Sequence, residues 1–148
     1  MKLKNKIKLI TFICVIISFF CNTVYAKENF FDKAKNLYDK KKYEDSKFLF
    51  QRNIVFNPKH AKSYIYLAKI YLEEKNEFQE EKNLNTALLL DPNNEEAIYM
   101  LINIKLKKSN FSEVNELTEK FEIICTSLCK KKDLIKKRLK EIQAKDAS

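Results

Sequence analysis

The chain has no glycine or tryptophan in its 148 residues, only two prolines and a single histidine. Loops that cradle phosphates are built on glycine, so Walker and dinucleotide-binding sites are excluded. Folds threaded by tight β-turns also draw on glycine and proline, whereas a helical chain needs neither. A zinc site normally takes four ligands, and His60 is the only imidazole available. No serine, cysteine or carboxylate is placed beside His60 by the sequence, so it reads as a surface residue opening a helix. The adjacent pairs Glu73-Glu74 and Glu80-Glu81 point to different faces of a helix and read as surface carboxylates. The residues support neither catalysis nor a cofactor.

Residues 1–26 have the three parts of a secretory leader: Lys2, Lys4, Lys6 and Lys8, an apolar run from Leu9 to Cys21, then Val24-Tyr25-Ala26. The run falls short of the ~20 residues that cross a bilayer as a helix, so cleavage after Ala26 is expected, with an uncleaved membrane anchor as the alternative. Phe19-Phe20 before Cys21 are too bulky for a lipoprotein signal. Removing the four leader lysines takes the formal charge from +9 to +5, a mild excess that supports solubility without implying nucleic acid. Cys14 and Cys21 leave with the leader. The remaining pair, Cys125 and Cys129, in an oxidising compartment reads as a disulfide that would contribute at most ~2–3 kcal/mol because its loop is short. A thiol-redox pair and half of a metal site are the alternatives. A C-x-x-C redox motif belongs in a βαβ context that is absent here.

Apolar residues recur at helical spacing throughout the rest: Phe30, Ala34, Leu37 and Tyr38; Ser46, Phe50, Ile54 and Phe56; Tyr64, Leu67, Ala68 and Tyr71; Leu84, Ala87, Leu88 and Leu90. Asn57-Pro58 and Asp91-Pro92 stop two of these stretches, and the interval between the two stops defines a period. A third pair follows, with Ile98, Leu101, Ile102 and Leu106, then Val114, Leu117, Phe121 and Ile124, and Asn94 placed to cap its first helix. A helix-turn-helix period of about 34 residues resembles the tetratricopeptide (TPR) repeat. Tyr64, Leu67, Ala68 and Tyr71 are similar to that family's order of aromatic, leucine, small residue and aromatic. The small residue lets the two helices of a hairpin pack closely. A terminal array followed by C-x-x-x-C is also similar to small exported bacterial proteins of this type.

The resemblance implies an all-α solenoid of about three hairpins, over 29–58, 59–92 and 93–126 within a repeat domain at 27–126. The C-x-x-x-C turn and a basic capping helix with Leu134, Ile135, Leu139 and Ile142 follow over 127–148. Lys40-Lys41-Lys42 stands where the family has glycine, and lysine there is expected in a helical or bridge-region turn. Phe78 is expected to take the packing role that Tyr43 has in the first hairpin. Glu80 occupies the place of a small residue, which predicts local irregularity with the carboxylate reaching solvent.

TPR arrays commonly bind partners in the concave groove lined by the first helix of each hairpin. The resemblance implies that Phe31, Lys35, Tyr38, Lys62, Ile65, Lys69, Leu72, Tyr99, Asn103 and Leu106 form this surface, taking a peptide or helix through apolar anchors while lysines favour acidic flanks. The carboxylate clamp of cytosolic cochaperones is missing, because Phe31, Tyr66, Glu96 and Met100 stand at its Lys, Asn and basic positions. The expected function is non-catalytic protein binding in a bacterial periplasm. The basic C-terminal helix, with Lys130, Lys131, Lys132, Lys136, Lys137, Arg138 and Lys140, has weak contact with anionic membrane or envelope polymer as a further expectation.

Overall fold

The computed structural model describes residues 29–146; the leader expected at 1–26 and the cleavage expected after Ala26 lie outside the described residues. Each apolar stripe has become one helix: α1 (Phe30–Asp39), α2 (Tyr43–Phe56), α3 (Ala61–Glu73), α4 (Glu77–Leu90), α5 (Glu95–Lys107), α6 (Phe111–Ile124) and α7 (Lys132–Asp146), the last preceded by a 3₁₀ turn at Cys129–Lys131. Each of α2 to α6 packs on the helices before and after it, and α7 lies on both α5 and α6. The result is an all-α solenoid of three TPR-like hairpins with a capping helix.

Capping residues explain where the helices start. The side-chain oxygens of Asn29, Asn76, Asn94 and Asn110 accept the N–H three residues on, opening α1, α4, α5 and α6. The ends of α1, α3 and α5 correct the expectation for Lys40-Lys41-Lys42. Lys41, Lys75 and Ser109, spaced one repeat apart, sit in the left-handed region at φ 58°, 57° and 51°. The N–H groups of Lys42, Asn76 and Asn110 then reach back to the carbonyls of Leu37, Tyr71 and Lys105 at 2.9, 2.9 and 3.0 Å. These bonds satisfy carbonyls that a helix end leaves open, so the turn persists without glycine.

The core is continuous along the stack. Ala34 and Ala68 are fully buried, and their short side chains allow close approach of α1 to α2 and of α3 to α4. Phe50, Leu67 and Ile70 fill the first junction, Leu84, Ala87 and Leu101 the second, and Ile98, Ile102, Val114 and Phe121 the third, where Ile135 of α7 joins them.

Two second-hairpin expectations fail for the same reason, the register of α4. Glu77, one repeat after Tyr43, takes the aromatic's place, which turns Phe78 outward at 73% exposure. One residue along a helix is a rotation of about 100°. Glu80 lands on the buried face at 3% exposure while α4 runs unbroken through it. The equivalent residues are Ser46, whose Oγ donates to the Ala34 carbonyl at 2.8 Å, and buried Val114. Burial is the largest influence on the Glu80 carboxyl and raises its pKa, with Lys107 opposing.

Two stability measurements follow from these positions. Lys75→Gly removes a left-handed penalty of ~1–2 kcal/mol against a glycine entropy loss of ~0.5–1 kcal/mol; urea unfolding should show a small net gain, and a loss would contradict the account of the turn. Glu80→Gln should stabilise the fold at pH 7 by on the order of 1 kcal/mol. A carboxyl with raised folded pKa destabilises above that pKa and is neutral in both states well below 4.5. The gain should therefore disappear as the pH falls through that range.

Candidate functional site: the concave groove

The first helices of the hairpins, α1, α3 and α5, carry the expected groove residues. Phe31 and Lys35 on α1, Lys62, Ile65 and Tyr66 on α3, and Asn94 and Glu96 at the start of α5 enclose a hollow of about 220 Å³. Its floor is a cluster of packed rings. Phe31 packs against Phe50, Tyr66 and His60 with ring centres 5.6, 5.7 and 4.6 Å apart, while Tyr66 also stacks on Phe50 at 4.9 Å and meets Tyr38 at 5.1 Å. Lys69 extends its ammonium 4.6 Å over the Tyr66 ring to pair with Glu96 at 2.6 Å, bridging α3 to α5. Lys35 and Lys62 are exposed at the rim, Lys35 in an ion pair with Asp39 at 2.7 Å.

Four of the ten expected residues thus meet at one hollow: Phe31, Lys35, Lys62 and Ile65. Ile65 is itself 3% exposed and packs in the second core junction, so it offers the hollow an edge rather than a free side chain. Tyr38 is half-buried beside Tyr66, and Leu72 is 42% exposed at the end of α3. Leu106 is corrected outright: at 1% exposure it lies in the core cluster that includes Ile135 of α7. Tyr99 and Asn103 are half-buried. Lys131 stands 5.8 Å over the Tyr99 ring, and the Arg138 guanidinium donates to Asn103 Oδ1.

His60 also departs from its reading as a partnerless surface residue. Ser63 Oγ, fully buried, accepts from Asn53 Nδ2 at 2.8 Å and lies 2.9 Å from His60 Nδ1. Burial first, then Lys62, holds the imidazole below its usual pKa range. The neutral ring is therefore part of the scaffold behind Phe31.

Sequence reasoning places Glu95 only as a first-turn carboxylate suited to the helix dipole and misses what it holds. Glu95, in the first turn of α5, accepts the N–H groups of Thr126, Ser127 and Leu128 at 2.7, 3.1 and 3.1 Å, together with the Ser127 hydroxyl. These bonds push its pKa down to about 2, the Ser127 hydroxyl having the largest effect. The turn it holds is the one expected between Cys125 and Cys129, whose sulfurs stand at disulfide distance, 2.14 Å, with Cα atoms 5.2 Å apart. In the sequence Glu95 is marked only by its place just after the Asn94 cap.

Most C-terminal cations are committed within the chain. Lys132 donates to the Glu122 carbonyl at 3.0 Å, Lys136 pairs with the Glu122 carboxylate at 2.7 Å and Lys137 with Glu141 at 3.9 Å. Among the described residues no helix is long and apolar enough to cross a membrane, and no cluster of three or more His, Cys, Asp or Glu is arranged to hold a metal. On the opposite, convex face Val55, Leu89 and Ile123 recur one per repeat, each more than three-quarters exposed.

No protein-family model and no curated protein matches the chain. Solved structures are similar in fold. The Yersinia enterocolitica type III secretion chaperone SycD, in complex with a peptide of the translocator YopD, has a TM-score of 0.68 at 17% identity over 84% of this chain and 99% of that one. The second TPR of Spaghetti (RPAP3), bound to the HSP90 peptide SRMEEVD, gives 0.60 at 20% identity over 65% and 89%. The Sgt2 TPR domain of Aspergillus fumigatus gives 0.61 at 14% identity over 81% and 78%.

The depressed Glu95 pKa sets a pH dependence. Its stabilisation is full above the ordinary value of 4.5 and is lost as the pH falls through about 2. Glu95→Gln should therefore lower the thermal midpoint at pH 7, and its difference from wild type should close between those limits. A difference that stays constant with pH would remove the carboxylate from the account.

Proposed function

We propose that the chain is an exported, non-catalytic adaptor that holds a peptide or helix of a partner protein in its concave groove. The hollow lined by α1, α3 and the start of α5 carries the reading. It combines an aromatic floor with Lys35, Lys62 and Glu96 in its lining, the kind of arrangement by which a pocket anchors one apolar side chain and orients its neighbours. The convex ladder of Val55, Leu89 and Ile123 is apolar and exposed, and none of the three lines this hollow. The SycD–YopD and RPAP3–HSP90 complexes support a peptide ligand for this type of fold.

The proposed compartment is a bacterial periplasm, reached by cleavage after Ala26. The three-part pattern of residues 1–26 supports export, as does a cysteine pair placed to bridge, since such bridges persist in oxidising compartments.

Photo-crosslinking from the groove rim in the native cell identifies the partner, and Lys35→Glu combined with Lys62→Glu tests the site. Both side chains are exposed, so helicity and thermal midpoint should stay near wild type while capture of that partner falls at least ~10-fold. Equal capture by the variant would refute the groove. N-terminal sequencing of the exported protein should begin at Lys27.

A further inference from the structure

Two of the three groove positions expected of the third hairpin are contacted by the chain's own C-terminal segment, and the third is buried in a core cluster that this segment joins. Arg138 donates to Asn103, Lys131 covers the Tyr99 ring, and Leu106 is buried in the cluster shared with Ile135. The hollow, by contrast, lies toward the first two hairpins, where α7 does not line it. Leu139 and Ile142 join Ile135 against the same cluster, so α7 behaves as an amphipathic helix lying in a groove.

Beyond this apolar packing, the start of α7 is held by a few residues. Helix α6 ends at Ile124, and the chain reaches Lys132 through the turn that Glu95 holds and the Cys125–Cys129 pair closes. Lys132 and Lys136 then tie the first turns of α7 to Glu122. Both cysteines are only half-buried, which leaves the sulfurs within reach of a small thiol.

We propose that α7 is an intramolecular occupant of the third hairpin's groove, latched by the Cys125–Cys129 bridge, and that a dithiol reductant releases it and extends the binding surface to Tyr99 and Asn103. The proposal rests on the groove reading above and adds its regulation. One thiolate of the dithiol attacks a bridge sulfur, the S–S bond breaks, and its electron pair passes to the other cysteine, which takes a proton. The second thiol of the reductant then displaces the first cysteine from the mixed disulfide. Two electrons and two protons reach Cys125 and Cys129, and the reductant leaves as a cyclic disulfide. The released surface suits an amphipathic helix with aliphatic residues at the spacing of Ile135, Leu139 and Ile142 and a cation opposite Asn103.

The probe is a synthetic peptide of residues 132–146, added to the purified protein with and without dithiothreitol, alongside Cys125→Ser/Cys129→Ser. Amide exchange in α7 should rise at least ~10-fold on reduction while α3 stays protected, and the peptide should bind the reduced protein and the serine variant but not the oxidised protein. If α7 keeps its protection and the peptide binds none of these forms, the latch is overturned. It also falls if α3 and α7 open together, because the bridge then staples the whole fold. Lys35→Glu with Lys62→Glu tests the groove separately: loss of that reading leaves the exchange result intact, and loss of the latch leaves partner capture at the hollow intact.

Discussion

The Glu95 carboxylate takes the backbone N–H groups of three consecutive residues, Thr126, Ser127 and Leu128, and so determines where α7 begins. A solenoid buries each hairpin against its neighbours, and the last one needs a cover with a polar outer face. Here that cover contributes Ile135 to the cluster of Ile98, Ile102, Leu106, Val114 and Phe121. Glu95 also stands in the first turn of α5, where the helix dipole favours an anion. One ionised group therefore serves the start of one helix and the approach to another. Charge-assisted bonds of this kind are stronger than neutral ones, which suits a turn that has no glycine or proline to shape it.

Regular spacing creates a hazard in a repeat protein, since hairpins of equal period can pair in the wrong order. The salt bridges between hairpins oppose this. Lys47 on α2 meets Glu74 beyond α3 at 2.7 Å, and one repeat later Glu81 on α4 meets Lys108 beyond α5 at 2.6 Å. The two pairs are equivalent in position and inverted in sign. Putting α2 in the place of α4 beside α5 would bring Lys47 to Lys108, and putting α4 in the place of α2 beside α3 would bring Glu81 to Glu74. Exposed pairs add little stability, but like charges brought together by a shifted register penalise it, so these bridges contribute order more than strength.

Architecture was legible in the sequence because it depends on period. The Asn57-Pro58 and Asp91-Pro92 stops, the helical spacing of apolar residues and the small residues Ala34 and Ala68 determine hairpins whatever the local detail. Departures occur where one residue must choose between two neighbours. The turns at Lys41 and Lys75 are left-handed because backbone carbonyls of Leu37 and Tyr71 need partners, a demand that outweighs the preference of lysine. Phe78 and Glu80 depart from the expected pattern because α4 keeps the repeat register from Glu77, so the helix places them by position and not by the polarity of their side chains. The hollow was half legible: Phe31, Lys35, Lys62 and Ile65 follow from repeat position, whereas Tyr66, Asn94 and Glu96 join it through packing between hairpins.

The same difference explains why the third hairpin's groove was misjudged. Repeat position assigns Tyr99, Asn103 and Leu106 to the concave side, and position alone treats every hairpin alike. A terminal hairpin is not like the others, because whatever covers its open end occupies the place of a next first helix, and such a helix lies beside the groove as well as over the core. Arg138 and Lys131 reach Asn103 and Tyr99 for that reason. The cap that completes the core and the cap that shortens the groove are one helix, so the energy of burying Ile135, Leu139 and Ile142 is also the energy a ligand must match to use that end. The hollow lined by α1, α3 and the start of α5 lies clear of α7 and carries no such penalty.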